Sequence, residues 1–190
     1  MQKSLNLYFS LPVLQEQIIS NLEYYVIDLS RNDEGVHYSN EGGYQSLHFQ
    51  RPEREFQDLW EQIEQKLNIY HNMMKLKGHV QITDWWFNIN YKGSSNNVHQ
   101  HPLSIHSGVY YIKTPPKCGD LCFSHPNESA IWAWPSHLIK ENNSMNSSTM
   151  SINPVKNTLH IFPSWATHYV LPNLSDEMRI SLSFNSGLIK

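Results

Sequence analysis

Residues 80–91, VQITDWWFNINY, decide the fold class. β-Branched and aromatic residues crowd the run and polar residues interleave them, the texture of a strand. The same texture returns in SGVYYIK (107–113), GDLCF (119–123), TLHIF (158–162), HYVL (168–171) and MRISLSF (178–184). Pro, Gly, Asn or Ser separates each run from the next. Short strands spaced in this way predict an antiparallel sandwich or barrel. The stretch ENNSMNSSTMS (141–151) is the most loop-like insert.

Upstream the period changes. In PEREFQDLWEQIEQKLNIYHNMM (52–74), Phe56, Leu59, Trp60, Ile63, Leu67 and Tyr70 recur at three- and four-residue steps, which predicts an amphipathic helix. Pro52 and the acidic residues after it suit its N-terminus. LNLYF (5–9) reads as a short strand, and Pro12 opens a short helix through QEQIISNL (15–22). Residues 30–46 are polar and turn-rich, a loop. The expected class is mainly β with flanking helices. Residues 1–77 form an N-terminal strand and helix segment packing on a core of residues 78–190, one domain overall, a size that buries a substantial core.

The 190 residues carry a net charge of −3, with no stripe of Lys or Arg. Nucleic acid and acidic membrane surfaces are therefore not expected partners. No run approaches 18 apolar residues, and MQKSLNLYFSLPVLQEQII lacks the apolar core and small-residue cleavage site of a signal peptide. Cys118 and Cys122 stand four apart with no second pair, too few for a zinc knuckle and poorly spaced for a disulfide. They are expected to be ordinary reduced thiols in a cytoplasmic protein. A homodimer is allowed by the chain but not specified by it.

The chemistry concentrates in NNVHQHPLSIHSGVYYI (96–112). With 11 histidines in 190 residues, chance alone yields about 0.6 His-x-His pairs, so the pair His99 and His101 is weak evidence by itself. On a strand, however, residues i and i+2 share a face. Their side chains, about 6 to 7 Å apart, converge on one ion where the strand ends or bends. Gly93 and the polar residues after it, with Pro102, suggest such an end. A third ligand can come from His168, flanked by strands and preceded by the Pro163 turn. In RISLSFN (179–185), Ile180, Leu182 and Phe184 alternate with Arg179, Ser181, Ser183 and Asn185, so one face is polar. The Arg179 guanidinium matches a carboxylate with two parallel hydrogen bonds; Ser181 points the same way. An ion pair of Arg179 with Asp176 or Glu177 is the structural alternative. His106 reads as supporting or structural. The tryptophans, among them Trp85, Trp86, Trp132, Trp134 and Trp165, read chiefly as core and pocket walls, and Asn88 and Asn90 as further pocket lining. Ser104 and Ser107 lack the exposed Gly-x-Ser-x-Gly elbow of a hydrolase.

The strings HQHPLSIHSGVYYIKTP, FPSWATHYV and RISLSFN together resemble a bacterial and phage family of 2-oxoglutarate/Fe(II) oxygenases. The resemblance spans roughly residues 78–187, with a weaker echo at GGYQS (42–46). It implies a double-stranded β-helix (jelly-roll) core. It also implies an Fe(II)/2-oxoglutarate-dependent dioxygenase, with His99, His101 and His168 as catalytic iron ligands. Arg179, Ser181 and Tyr111 would bind 2-oxoglutarate, with Tyr110 the alternative should the strand phase shift by one. Fe(II), 2-oxoglutarate and O2 are then the cofactor and cosubstrates, and a small molecule or peptide is the oxidised partner. His101 departs from the wider superfamily, which has Asp or Glu there; a carboxylate lowers the charge of the iron centre, and three imidazoles do not. The cupins share the barrel and offer a rival without 2-oxoglutarate. Gly93, His99, His101 and His106 follow their first motif, with His106 where Glu is usual. Pro163 and His168 follow the second, with Trp165 where Gly is usual. A non-catalytic barrel module is the third reading.

Overall fold

In the computed structural model, which describes residues 10–127, 129 and 134–189, the deciding stretch forms β4 (Val80–Asn90). It pairs antiparallel along its whole length with β11 (Arg179–Leu188). The remaining strands are β1 (Leu14–Gln17), β2 (Asn40–Glu41), β3 (Tyr44–Gln45), β5 (Ser95–His99), β6 (His106–Lys113), β7 (Leu121–Ser124), β8 (Thr149–Ile152), β9 (Thr158–Pro163) and β10 (His168–Val170). They make two antiparallel sheets, ordered β1-β9-β6-β11-β4-β3 and β2-β5-β10-β7-β8. The two sheets face each other across a cavity lined from both sides, the jelly-roll core expected.

Strand periodicity gives the six-stranded sheet two working faces. Trp85, Phe87 and Ile89 of β4, Ile180, Leu182 and Phe184 of β11, and Tyr110 and Ile112 of β6 join one buried apolar cluster. The helix α2 (Gln57–Met73), entered through a 3-10 turn at Arg54–Phe56, covers that cluster with Leu59, Ile63, Leu67 and Tyr70. Burying each such side chain contributes about 1.5–3 kcal/mol. Asn68 anchors the helix to the sheet, its side chain donating to the Val80 carbonyl at 2.8 Å and accepting from the Val80 amide at 3.1 Å. The opposite face carries Asp84, Trp86 and Asn88 of β4, in register with Asn185, Ser183 and Ser181 of β11. Of these, Trp86, Asn88, Ser181 and Ser183 line the cavity.

Three local expectations change. The helix predicted from Pro12 is instead β1, which pairs with the outer edge of β9, Leu14 opposite Ile161. Edge pairing satisfies its backbone groups, and the alternating half-buried and exposed residues fit a strand. The first helix comes later, α1 (Glu23–Arg31), where aromatic and β-branched residues weaken the helical signal. Loop 30–46 contains β2 and β3, which append to one sheet each around Gly42 and Gly43. The 141–151 insert ends in β8, paired with β7. The strand expected at 5–9 and Trp132 lie outside the described residues.

Candidate metal and cosubstrate site

His99 closes β5 and His168 opens β10, and the two strands pair with these residues opposite each other. His101 follows two residues after His99. Its amide donates to the carbonyl of Ser164 at 3.1 Å, which fixes the chain just beyond the strand end. The ring centroids of His99 lie 5.0 Å from His101 and 4.3 Å from His168. One nitrogen from each ring falls within 4.8 Å of the others, and Nε2 of His101 is 3.4 Å from Nε2 of His168. With imidazole–metal bonds of about 2.1 Å, ligands at right angles stand about 3 Å apart. The cluster is thus close to metal-binding dimensions.

The other nitrogens fix which lone pairs face inward. His99 Nδ1 donates to the Asn97 carbonyl at 2.6 Å, and His168 Nδ1 to the Ala166 carbonyl at 2.8 Å. Each ring then presents an unprotonated Nε2, the form a metal requires. Electrostatics agree. Burial, helped by the neighbouring His99, pushes His168 down to about 3 and His101 to about 4. Burial also lowers His99, against the opposing pull of the Asn97 carbonyl. Neutral imidazoles are therefore the resting state. Phe162, 4.8 Å from His168, Phe123 at 6.0 Å, and Trp86, 5.7 Å from His101, wall the site.

The same cavity is lined by Arg179, Ser181 and Tyr111. Arg179 is only 1% exposed. Its NH1 donates to the carbonyls of Cys118 (2.7 Å) and Gly119 (3.1 Å), and its NH2 reaches Asn96 Oδ1 at 3.5 Å. Among the described residues no carboxylate pairs with it. Asp176 is taken by Lys92 and Glu177 by Lys113, so the ion pair weighed from sequence does not form. A buried cation held only by neutral groups is costly until an anion joins it. Ser181 lies opposite Tyr111 across β11 and β6. Burial pushes the Tyr111 phenol well above its ordinary value, so it stays a neutral O–H. Tyr110 points the other way, bonding the Ile18 carbonyl and Asn157.

Asn88 lines the cavity, while Asn90 is a step behind, donating to Asn96. His106 turns to the helix side and bonds His71 at 2.9 Å, away from the triad. Cys118 and Cys122 are buried free thiols. Trp86 is a pocket wall and Trp85 core. Trp134 and Trp165, 55% and 52% exposed, are neither buried core nor enclosed walls, because each sits in a turn outside the sheets. Sequence reasoning missed Ser39 and Asn96, which line the cavity; both come from segments without a distinctive pattern. Ser183 was legible through its alternation with Arg179 and Ser181.

Residues 84–185 match the model of a family described as "Putative 2OG-Fe(II) oxygenase". No curated protein matches the sequence. Among solved structures, a prolyl-4-hydroxylase from Pseudomonas putida is similar with a TM-score of 0.64 at 15% identity, covering 94% of this chain and 93% of that one. The viral collagen prolyl hydroxylase of Paramecium bursaria Chlorella virus-1 gives 0.58 at 14%, covering 92% and 96%. The chain spans 55% of the length of a 2OG-Fe(II) oxygenase family oxidoreductase from Burkholderia pseudomallei, covering 65% of itself at 16% identity and a TM-score of 0.48.

Proposed function

Because this chain belongs to the 2OG-Fe(II) oxygenase family, we propose that His99, His101 and His168 hold its iron. Arg179, with Ser181 and Tyr111, takes the far carboxylate of 2-oxoglutarate. Enzymes of the family use Fe(II), 2-oxoglutarate and O2 and act on small-molecule or peptide substrates. One relation carries the assignment of residues: three clustered imidazoles and a buried guanidinium, paired with no carboxylate among the described residues, line a single cavity.

Bound iron supplies the oxidation, in which 2-oxoglutarate and O2 become succinate and CO2 while a C–H bond of the second substrate gains oxygen. The protein's own residues do the rest. The carbonyls of Asn97 and Ala166 hold two rings in the coordinating tautomer. Arg179 supplies the charge that recognises a dicarboxylate, and Ser181 and Tyr111 can each donate an O–H beside it. Phe162, Phe123 and Trp86 exclude water from the oxidising centre. The prolyl hydroxylases share this fold, and the oxidised partner of this chain is a small molecule or peptide. No helix among the described residues is long and apolar enough to cross a membrane. The reduced cysteines support a cytoplasmic setting.

Anaerobic titration tests the reading. Fe(II) followed by 2-oxoglutarate should develop the weak visible charge-transfer band of the chelate, and aerobic turnover without a second substrate should release succinate. Metal binding with neither band nor succinate would leave a cupin-type metal protein instead.

A further inference from the structure

A three-histidine cluster is neutral, so a divalent ion held there keeps its full formal charge of +2 unless negative charge stands nearby. One acidic side chain occupies β4, β6, β9 and β11 together, and it is Asp84. It shares the inner face of β4 with Trp86 and Asn88, both of which line the cavity. Three donors hold its carboxylate. Thr83 Oγ1 donates to Oδ1 at 3.0 Å, while Asn185 Nδ2 and His48 Nδ1 reach Oδ2, each at 3.0 Å.

Two paths run from that carboxylate to His101. On one, the His48 ring lies flat on Trp86, centroids 4.4 Å apart and planes 7° apart, and Trp86 packs 5.7 Å from His101. On the other, a polar ladder crosses the sheet. Asn185 Oδ1 accepts from Ser107 Oγ at 2.9 Å, and Ser107 Oγ bonds Ser164 Oγ at 2.7 Å. The carbonyl of Ser164 then accepts the His101 amide.

Resting on the reading of these histidines as iron ligands, we infer that Asp84 is the outer counter-charge of the centre. It supplies from the facing sheet the negative charge that an aspartate ligand supplies from within. The carboxylate is available in ionised form: burial raises it, but the His48, Thr83 and Asn185 bonds outweigh burial and hold it below its ordinary value. Asp84 is a positioning residue in this account and touches no ligand atom.

Co(II) titration of the metal-free protein, followed by the Fe(III)/Fe(II) midpoint potential, tests the assignment. Asp84→Asn should weaken Co(II) binding roughly tenfold, the scale of outer-shell substitutions, and move the potential positive. Asn185→Ala, which removes one donor but keeps the charge, should stay within about twofold of the unsubstituted protein. Should Asp84→Asn not fold, Asp84→Ser carries the same expectation. A folded Asp84 variant with unchanged affinity and potential overturns the inference, as does an equal loss in Asn185→Ala, which would mean that the ladder's geometry matters and the charge does not. Failure of the unsubstituted protein to bind Co(II) is a different result, for it removes the three-histidine reading itself.

Discussion

Nε2 of His101 and Nε2 of His168 stand 3.4 Å apart, from opposite ends of a 67-residue separation in the chain. The Ala166 carbonyl takes the other N–H of His168, so its Nε2 carries a lone pair. A neutral His101 meets that lone pair either with an Nε2–H that donates to it or, in the other tautomer, with a second lone pair that a cation would bridge. Burial disfavours a further, charging proton on either ring. His168→Ala should therefore lower Co(II) or Fe(II) affinity by at least about a hundredfold, beyond the range of outer-shell changes. His106→Gln, altering a ring bonded to His71 on the helix side, should leave metal affinity unchanged. Equal affinities for His168→Ala and the unsubstituted protein would remove His168 from the ligand set.

On the proposed assignment, Arg179 divides its donors between structure and ligand. NH1 is spent on two carbonyls, leaving the rest of the fork for an anion. A lysine carries one compact ammonium and cannot serve both. A charge-assisted hydrogen bond is worth about 1.5–3 kcal/mol, so Arg179→Lys should raise the Kd for 2-oxoglutarate by roughly 10- to 150-fold. Fe(II) affinity should be preserved. Titrating the charge-transfer band with 2-oxoglutarate separates the two quantities, and an unaltered Kd would place the anion elsewhere.

The strands of the core and the helix α2 were legible because their periods are strong and their burial one-sided. The proposed ligand pair was legible because a strand sets residues 99 and 101 on one face, and Arg179 because it interrupts an otherwise uncharged polar face. What escaped was fixed by tertiary pairing. β1 is a strand because β9 has an open edge for it, a fact that QEQII does not encode. Asn96 and Ser39 reach the cavity because β2 and β5 pair there. The phase of Tyr110 and Tyr111 likewise awaited the register of β6 against β11, which sets Tyr111 opposite Ser181.

Gly119 links backbone conformation to the proposed anion site. Its φ is +88°, and a Cβ there would come within 2.1 Å of the Leu171 carbonyl oxygen, a backbone atom with little room to move. Its own carbonyl accepts from Arg179. Gly119→Ala should cost about 2 kcal/mol or more through backbone strain and contact. It should also weaken 2-oxoglutarate binding, since the carbonyl that holds the guanidinium is displaced. Urea unfolding and the band titration read the two effects; loss of stability with an intact 2-oxoglutarate Kd would show that the Gly119 carbonyl is not needed to aim Arg179.

His160 gives the fold a pH dependence of its own. The ring sits on β9, opposite Gln15 on one side and Val109 on the other. It is 1% exposed, and neither nitrogen has a hydrogen-bond partner among the described residues. Burial pushes it down to about 4, whereas an unfolded histidine titrates near 6.5. Between those values the unfolded chain binds a proton that the folded chain refuses. The stabilisation is complete above pH 6.5 and is lost as the pH falls toward 4, a change of about 3 kcal/mol. His101, His106 and His168 add to the same slope, so the test is a difference. His160→Phe keeps a ring in the space and removes the proton site and two unmet polar atoms. In metal-free protein it should be as stable as the unsubstituted chain or more so at pH 7.5, and should lose less stability on going to pH 5. Urea unfolding at the two pH values decides the matter, and parallel losses in both proteins would mean that His160 finds a proton partner in the folded state.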